Sequence, residues 1–219
     1  MDHDPVRGGA LPAAFESACL VRCTGSTRLP GRRRPERAVP AAAALAEFDR
    51  KDAAERLASL LAGLGYDASR EVRTGGGRRR YELQRVLVPE PQRTATDRLI
   101  AAAWQQGRQA LLGTDPLGSS SPRHARRLML AHAAWRAVLH AGGRRFRADL
   151  LCVRLADQEM AAVLVRAARL LDLTAEVSSR PGCLLVTVPA VTASFLLAGT
   201  MSVAGGRSTP LEAACPVGA

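Results

Sequence analysis

The sequence predicts an α+β fold made of two pseudo-symmetric copies of one unit, with helices packed on antiparallel sheets. Two observations carry this prediction. The order helix, strand, helix, hairpin, helix occurs twice along the 219 residues, and such an order is typical of helices on one face of an antiparallel sheet. The segment AERLASLLAGLGYDASREV of the first copy also parallels AAVLVRAARLLDLTAEVS of the second, so that Leu57 corresponds to Leu164 and Leu64 to Leu171.

We expect four regions along the chain. Residues 1–112 form the first repeat, with 1–10 predicted to be disordered, and residues 123–200 form the second. The segment GTDPLGSSSP, residues 113–122, is rich in Gly, Pro and Ser and is predicted to be a linker. Residues 201–219 are predicted to form a polar, flexible tail.

The helices of the first copy are predicted from apolar spacing and from the glycines that follow them. The predicted helices are Ala13 to Thr24, Lys51 to Leu64 and Thr94 to Leu112, and a hairpin is predicted from Tyr66 to Arg73 and Arg80 to Val88. A strand is expected between Ser26 and Val39. Because GRRRPERAVP holds two prolines and a run of arginines, that segment is predicted to be a loop or a ragged edge instead.

The second copy repeats this order more cleanly. Helices are predicted from Ala125 to Ala141, after Asp157 as N-cap, and from Val191 to Ala198, with a buried strand from Ala148 to Arg154 and a hairpin of Leu173 to Ser178 and Cys183 to Val188. Alanine and glycine in the first helix of each copy would let two backbones approach closely. We therefore expect the copies to pair through these helices about a pseudo-twofold axis.

The charge of the chain indicates a polyanionic partner. The chain has 31 basic and 20 acidic residues, a net charge of +11, and only one lysine, Lys51. Codon composition can explain the preference for arginine, so the net charge is the better evidence. Arginine offers paired N–H donors to phosphate, which favours nucleic acid. A merely solubilising surface and an anionic membrane surface remain as alternatives.

Composition also excludes several classes of protein. A hydrophobic content of 47% excludes wholesale disorder, and no segment has the length of apolar residues that a membrane span needs. The polar N-terminus is unlike a signal peptide. Five cysteines, an odd number without framework spacing, fit a reducing compartment. These features predict a cytoplasmic protein, and we expect no cofactor.

Four segments carry a resemblance to a known family: SACLVRCTGSTRL at 17–29, the stretch 52–86, AAWRAVLHAGG at 133–143, and the stretch 157–188. In order and pattern they resemble the N-terminal part of the WhiA family, bacterial transcription regulators of sporulation and cell division with a degenerate LAGLIDADG homing-endonuclease-like domain. The resemblance implies a DNA-binding protein associated with the nucleoid. Family members continue into a helix-turn-helix domain, which residues 203–219 are too short to hold. A shortened member is therefore expected, and a protein-interaction role, through a regulator protein or self-association, is the alternative.

The resemblance also locates where a nuclease would need its acids. A LAGLIDADG nuclease carries a carboxylate at the end of each paired helix, where divalent ions that activate water are held. Thr24 and Gly142 occupy these positions here. Neither binds Mg²⁺ as a carboxylate does, so we expect no nuclease and no other enzyme.

Other candidate sites are weaker. Cys19 and Cys23 would share one face of a helix, and with His132 or His140 they make a zinc site conceivable. Buried thiols in a helix interface are the favoured interpretation. His124 recurs with those two histidines every eight residues, which brings the three roughly to one side of a helix. RTGGGRRR lacks the GK[ST] ending of a phosphate loop and is predicted to be a hairpin tip.

In the LAGLIDADG fold the sheets form a saddle over DNA, which implies that arginines on strands and hairpin tips contact phosphate. The predicted DNA-binding residues are Arg70, Arg73, Arg78, Arg79, Arg80, Arg85, Arg144, Arg145, Arg147 and Arg154, with further candidates at Arg180 and in the loop Arg32 to Arg34. The strand Leu184 to Val188 is apolar on nearly both faces. This predicts that both its faces are covered and that only the first copy offers an openly basic sheet.

Overall fold

The computed structural model of the protein describes residues 9–24, 44–75, 81–113, 121–147, 149–191 and 196, with the backbone alone for 143–147. Its helices are α1 (Leu11–Cys23), α2 (Lys51–Gly63), α3 (Glu90–Leu112), α4 (Pro122–Ala141) and α5 (Gln158–Leu170). Its strands are β1 (Ala46–Phe48), β2 (Ser69–Gly75), β3 (Tyr81–Leu87), β4 (Gly143–Arg147), β5 (Leu150–Leu155), β6 (Glu176–Arg180) and β7 (Cys183–Pro189). The predicted α+β class is confirmed.

The strands form two antiparallel sheets. The first sheet has the order β1-β3-β2 and the second has the order β4-β5-β7-β6. In both, a hairpin follows a helix: β2 and β3 follow α2, and β6 and β7 follow α5. The first sheet thus has β1, β3 and β2 where the second has β5, β7 and β6, and the strand order supports the predicted duplication.

The ends of α2 and α5 show the same duplication in atomic detail. After α2, Gly65 adopts a left-handed φ of 86°, its N–H donates to Ala62 O, and the next N–H donates to Leu61 O. After α5, Asp172 adopts φ 56° and the same pair of backbone hydrogen bonds recurs. This is the Schellman arrangement of a helix C-terminus. Both repeats therefore turn from helix to hairpin in the same way.

The N-terminus of α5 confirms the predicted cap. The Asp157 carboxylate accepts hydrogen bonds from the backbone N–H groups of Glu159 and Met160, at 2.9 and 3.2 Å. These bonds satisfy donors that the first helical turn leaves without partners. The apolar stripe that follows, at Met160, Val163, Leu164 and Ala167, is buried.

The two repeats are joined by their first helices, as predicted. α1 packs more extensively against α4 than against any other element. Small residues in both helices, including Ala14, Ala18, Ala134 and Ala137, are fully buried. Because these side chains end at Cβ, the two helix backbones can lie close together. The buried residues of both repeats form one hydrophobic core.

α3 packs on the other side of α1 at a glycine. The Phe15 ring stacks on the Trp104 ring with centroids 5.9 Å apart, and the Arg22 guanidinium lies 4.1 Å from the Trp104 ring centroid. A Cβ on Gly107 would lie 2.1 Å from Cδ2 of Phe15. The absence of a side chain at Gly107 therefore makes room for the Phe15 ring.

Several predicted bounds were wrong. α3 begins at Glu90 rather than Thr94, because proline is well tolerated in a first helical turn and Pro91 lies there. α4 begins at Pro122 rather than Ala125, since the Ser121 hydroxyl caps it by accepting from His124 N at 3.0 Å. The buried strand of the second repeat is Leu150–Leu155, and β4 was not predicted.

The third strand of the first sheet, β1, also lies outside the predicted segment. It is Ala46–Phe48 rather than a stretch between Ser26 and Val39, and that earlier stretch lies outside the described residues. So do 114–120 of the predicted linker, most of the predicted helix Val191 to Ala198, and the tail. The predicted domain bounds and the flexibility of the termini stay predictions.

Candidate nucleic-acid interface

Each sheet has one face on the helices and one face directed outward. In the first sheet Val86 of β3 pairs with Ala46 of β1, and both are buried. Val86 also pairs with Arg70 of β2, whose side chain bonds Glu55 of α2 at 2.8 Å. These residues therefore mark the helix side. Because side chains alternate along a strand, Glu71, Arg73 and Arg85 belong to the outer face.

Two arginines occupy the same outer position in the two repeats. Arg73 is the fifth residue of β2, and Arg180 is the fifth residue of β6. Both strands lie at the edge of their sheet, and both side chains are exposed. Neither has a carboxylate partner among the residues that the structure describes. They are two unneutralised cations at equivalent places.

The next candidates lie at the end of the β2–β3 hairpin. Gly75 and Tyr81 are paired across this hairpin, and Arg78, Arg79 and Arg80 belong to the segment of chain that joins them. Their own positions are outside the described residues. The hairpin bounds on either side agree with the predicted tip.

The remaining predicted arginines lie on the second sheet. Arg144, Arg145 and Arg147 belong to the edge strand β4, in register with Val153, Cys152 and Leu150. Arg154 is half-buried on β5, where it pairs with Leu185. Val153 and Val186 are buried, so the alternating residues Arg154 and Leu185 lie on the outer face.

The outer face of the second sheet is partly exposed among the described residues. Val186 and Val188 of β7 are buried against the helices, whereas Leu185 and Thr187 on the opposite face are half-exposed. The Thr187 hydroxyl lies 3.8 Å from the Cys152 sulfur across the strands. The prediction that both faces of β7 are covered, the outer one by a second subunit or the C-terminal tail, stays a prediction.

Arg70 and Arg85, which the sequence predicts to contact DNA, both bond carboxylates of the protein itself, and their DNA contacts stay predictions. Arg70 is directed toward α2 and bonds Glu55. Arg85 has only 5% of its surface exposed, its Nε lies 3.1 Å from Glu47 Oε1 and its Nη1 lies 2.9 Å from Glu71 Oε2. Both guanidinium groups are thus neutralised by neighbours. The described outer face of the first sheet is not openly basic, because two glutamates flank its buried arginine.

The ends of the paired helices are used for capping and packing. The Thr24 hydroxyl donates to Val21 O at 2.7 Å, and Gly142 N donates to Val138 O at 2.7 Å. A Cβ on Gly142 would lie 2.6 Å from Val138 O and 3.1 Å from Val153 Cγ1. Across the described residues, no group of three His, Cys, Asp or Glu side chains is arranged to hold a metal ion.

Carboxylates do lie near these helix ends, where they join the repeats. Close to the end of α1, Arg22 bonds Asp157 and Glu159 of the second repeat at 2.6 and 3.0 Å. Close to the end of α4, His140 Nδ1 lies 3.6 Å from Asp52 Oδ2 of the first repeat. Each joint thus links the last turn of one first helix to the beginning of the other repeat's second helix.

The electrostatics of the second joint favour a neutral histidine. Burial lowers the pKa of His140, and the carboxylates of Asp52 and Glu16 oppose that effect only in part. The pKa of Asp52 is raised by burial but lowered further by its hydrogen bonds from Arg50, so that it lies below its ordinary value. The joint at Arg22 has a permanent cation, and the joint at His140 has a titratable one.

Sequence reasoning missed the most buried charge among the residues that the structure describes. Glu16 of α1 is fully buried, and its carboxylate accepts hydrogen bonds from Arg56 at 2.7 and 3.0 Å and from Arg136 at 3.1 and 2.9 Å. The signal was available, since Glu16 interrupts the otherwise apolar or small run Ala13 to Leu20.

The predicted thiols lie in the helix interface. Cys19 and Cys23 are buried, and burial raises the pKa of Cys23 to about 12. Burial is also the largest cause of the raised pKa of Cys19. Because the thiolate is the form that binds metal, these thiols are poor ligands where they lie.

No family model matches the sequence, and no curated protein matches it. Within the described residues, no helix is both long enough and apolar enough to span a bilayer.

Among solved structures, the fold is similar to the N-terminal LAGLIDADG domain of DUF199/WhiA. The TM-score is 0.47 at 11% identity, over 92% of this chain and 85% of that one. Full-length DUF199/WhiA from Thermatoga maritima gives a TM-score of 0.48 at 10% identity, over 90% of this chain and 62% of that one. Mesophilic variants of the homing endonuclease I-DmoI give 0.45 at 11% identity, over 87% and 97%. The chain therefore spans less than two thirds of full-length WhiA.

Proposed function

We propose that this protein is a non-catalytic, DNA-binding transcriptional regulator that contacts phosphates through arginines on the outer faces of its two sheets. The observation that carries the proposal is the pair Arg73 and Arg180, exposed at the same outer position of both edge strands. They occur in a chain with a net charge of +11. Two cations fixed at equivalent places of a duplicated scaffold suit the two strands of a duplex.

The distribution of the ion pairs supports this proposal. Many described carboxylates are bound by nearby arginines, as at Glu16, Glu55, Asp157 and Glu159. These arginines are neutralised inside the fold or at its joints. The surplus positive charge therefore belongs to other arginines, among them Arg73, Arg180 and those of the hairpin segment, and phosphate is the anion that arginine pairs best with.

Lack of catalysis is proposed from the ends of the paired helices. Thr24 and Gly142 close their helices, and the carboxylates nearby are held in ion pairs between the repeats. A role in sporulation or cell division, in the bacterial cytoplasm and at the nucleoid, is proposed from the resemblance of the sequence to the WhiA family.

The test of DNA binding is a salt series on a short mixed-sequence duplex. The parent is compared with the double variant Arg73→Ala, Arg180→Ala and with the triple variant Arg78→Ala, Arg79→Ala, Arg80→Ala. Each phosphate contact contributes about 0.9 to the slope of log K against log salt. We expect the double variant to lose roughly 2 units of slope on this basis.

A matched control keeps the net charge of the double variant. Arg98 of α3 and Arg169 of α5 are exposed on helices, and Arg98→Ala, Arg169→Ala removes the same two charges elsewhere. We expect this control to keep the slope of the parent. An affinity that is negligible at low salt, or that salt does not change, contradicts DNA binding.

Catalysis is tested separately. Supercoiled plasmid incubated with the protein and Mg²⁺ or Mn²⁺ should stay intact, while remaining bound at low salt. Metal-dependent nicking or linearisation of the plasmid, in an activity that co-purifies with the protein, would overturn the non-catalytic assignment.

A protein-interaction module is the second candidate function. Val72 of β2 and Val177 of β6 are 57% and 48% exposed on edge strands, and an edge strand with exposed apolar side chains can pair with a partner strand. Light scattering over a concentration series checks self-association. If the protein is a monomer at every concentration and binds DNA in a salt-dependent way, self-association is contradicted and the DNA-binding function is supported.

A further inference from the structure

The outer faces of the two sheets differ in charge along one row of side chains. In the first sheet, Arg85 of β3 pairs in register with Glu47 of β1 and Glu71 of β2. In the second sheet, Leu185 of β7 pairs with Arg154 of β5 and Ser178 of β6. Glu71 and Ser178 are each the third residue of their strand. The two rows therefore occupy the same place in the two repeats.

In the first sheet this row exposes carboxylates and hides its cation. Glu47 and Glu71 have side chains 47% and 49% exposed, whereas the Arg85 side chain is 6% exposed. Arg85 donates to one oxygen of each glutamate. The other two oxygens, Glu47 Oε2 and Glu71 Oε1, accept no hydrogen bond from any residue that the structure describes. Arg85 thus holds both carboxylates in place and leaves one oxygen of each able to accept a hydrogen bond from a ligand.

Such a row is unsuited to phosphate, because a carboxylate repels it and can only accept hydrogen bonds. Duplex DNA offers donors to such a group in the major groove, at the exocyclic amino groups of cytosine and adenine. Glu47 and Glu71 lie on either side of β3, about 10 Å apart at Cα by the usual strand spacing. That separation corresponds to about three base-pair steps of 3.4 Å.

We propose that Glu47 and Glu71, held by Arg85, determine sequence specificity by accepting hydrogen bonds from cytosine or adenine amino groups, while the second sheet contacts only backbone. This inference rests on the proposed function and deepens it. DNA is bound unequally by the two repeats: the first sheet selects bases through this row and contacts phosphate through Arg73, whereas the second sheet contacts phosphate alone. The row of the second sheet, with Arg154, Leu185 and Ser178, carries no acid that would oppose phosphate.

The test combines selection from a library of short duplexes, randomised at their centre, with affinity for the unselected pool. The first variant is Glu47→Gln, Glu71→Gln, which keeps an oxygen for Arg85 to bond. The second exchanges the row for that of the other repeat, with Glu47→Arg, Arg85→Leu and Glu71→Ser, and so leaves no buried charge behind. The control, Glu90→Gln, Asp97→Asn, removes two exposed acids from α3. Thermal unfolding shows which variants are folded.

We expect the parent to enrich amino-bearing bases at two positions separated by about three steps. The exchanged row should lose that enrichment, whereas Glu47→Gln, Glu71→Gln should shift it toward adenine, which glutamine bonds through N6 and N7. Both row variants should bind the unselected pool several-fold more tightly, with the exchanged row showing the steeper salt dependence. The control should keep the selectivity of the parent. Unchanged selectivity and affinity in a folded row variant would overturn the inference.

The outcome separates this inference from the proposed function. If Arg73→Ala, Arg180→Ala weakens binding and the row variants change nothing, the protein binds DNA but the row does not face it. If none of the arginine variants weakens binding, the proposed function fails as well.

Discussion

Glu16 of α1 and Arg136 of α4 form a buried ion pair between the two repeats, with 2.9 Å between Oε2 and Nη2. The two residues are 120 positions apart in the sequence. Arg56 of α2 bonds the same carboxylate, so one acid fixes three helices. The acid lies within the α1–α4 contact, where an unpaired charge would be costly to bury.

Removing this acid should destabilise the protein. Glu16→Gln leaves Arg56 and Arg136 without their common anion, and since both guanidinium groups keep some contact with solvent, we expect the loss to be that of charge-assisted hydrogen bonds, about 1.5–3 kcal/mol. The check is the free energy of unfolding from urea titration. Glu55→Gln is the control, because its pair with Arg70 is exposed and an exposed pair contributes about 1 kcal/mol or less. Equal losses in the two variants would contradict the structural role of Glu16.

Gly107→Ala should also destabilise the fold, although alanine is the better helix former. The added Cβ meets the Phe15 ring, at 2.1 Å from Cδ2, and must displace the Phe15–Trp104 stack. We expect a loss of about 1–3 kcal/mol, as for overpacking of a core. Gly63→Ala in α2 meets no atom within 4 Å and should gain about 0.5–1 kcal/mol. A neutral or stabilising Gly107→Ala would show that α1 and α3 do not pack as described.

Stability should fall as the pH is lowered through the range just below 6.5. Burial lowers the pKa of His140 from its ordinary value of 6.5, and burial together with Arg136 lowers that of His132. Between the folded and the ordinary pKa, the unfolded chain binds more protons than the native one, so acid favours unfolding. This contribution is fully present above pH 6.5. Urea titrations at several pH values give the free energy of unfolding across this range, and this free energy should change less steeply with pH in His132→Gln, His140→Gln than in the parent. An equally steep pH dependence in the variant would contradict the role of the two histidines.

The buried thiols should resist alkylation in the native protein. Burial raises the pKa of Cys23 to about 12, so little thiolate exists at mildly alkaline pH, and reagents cannot reach the interface. Cys152 and Cys183 are only half-buried and should react first. Peptide mass spectrometry after iodoacetamide treatment measures each site, and the same reaction in urea is the control. Labelling of Cys19 or Cys23 as fast as Cys183 without urea would contradict the packing of α1.

Elements defined by local signals could be predicted from the sequence. α5 has its cap at Asp157 and an apolar stripe of helical period, and α2 has its left-handed stop at Gly65. These signals depend only on residues close together in the chain, so the local sequence is enough to predict the elements. β4 was missed because GRRFR shows no apolar alternation. It becomes a strand through its pairing with β5, a tertiary effect that local sequence does not encode.

The surroundings of the candidate arginines could be predicted only in part. Arg70 and Arg73 are an odd number of residues apart on one strand and so must face opposite sides; this could have been recognised from the sequence. The neutralisation of Arg85 could not have been recognised from the sequence, because Glu47 and Glu71 meet it only through the strand order β1-β3-β2. Glu16 could have been singled out as an acid in an apolar run, but its partners Arg56 and Arg136 could not, since they lie 40 and 120 positions away.

The α1–α4 contact implies that neither half should be stable alone. Each half buries part of its leading helix against that of the other half, so a chain severed between α3 and α4 should yield fragments that aggregate alone and reconstitute when mixed. The two repeats should then unfold as one cooperative unit, so that a destabilising substitution in either repeat lowers the unfolding temperature of both.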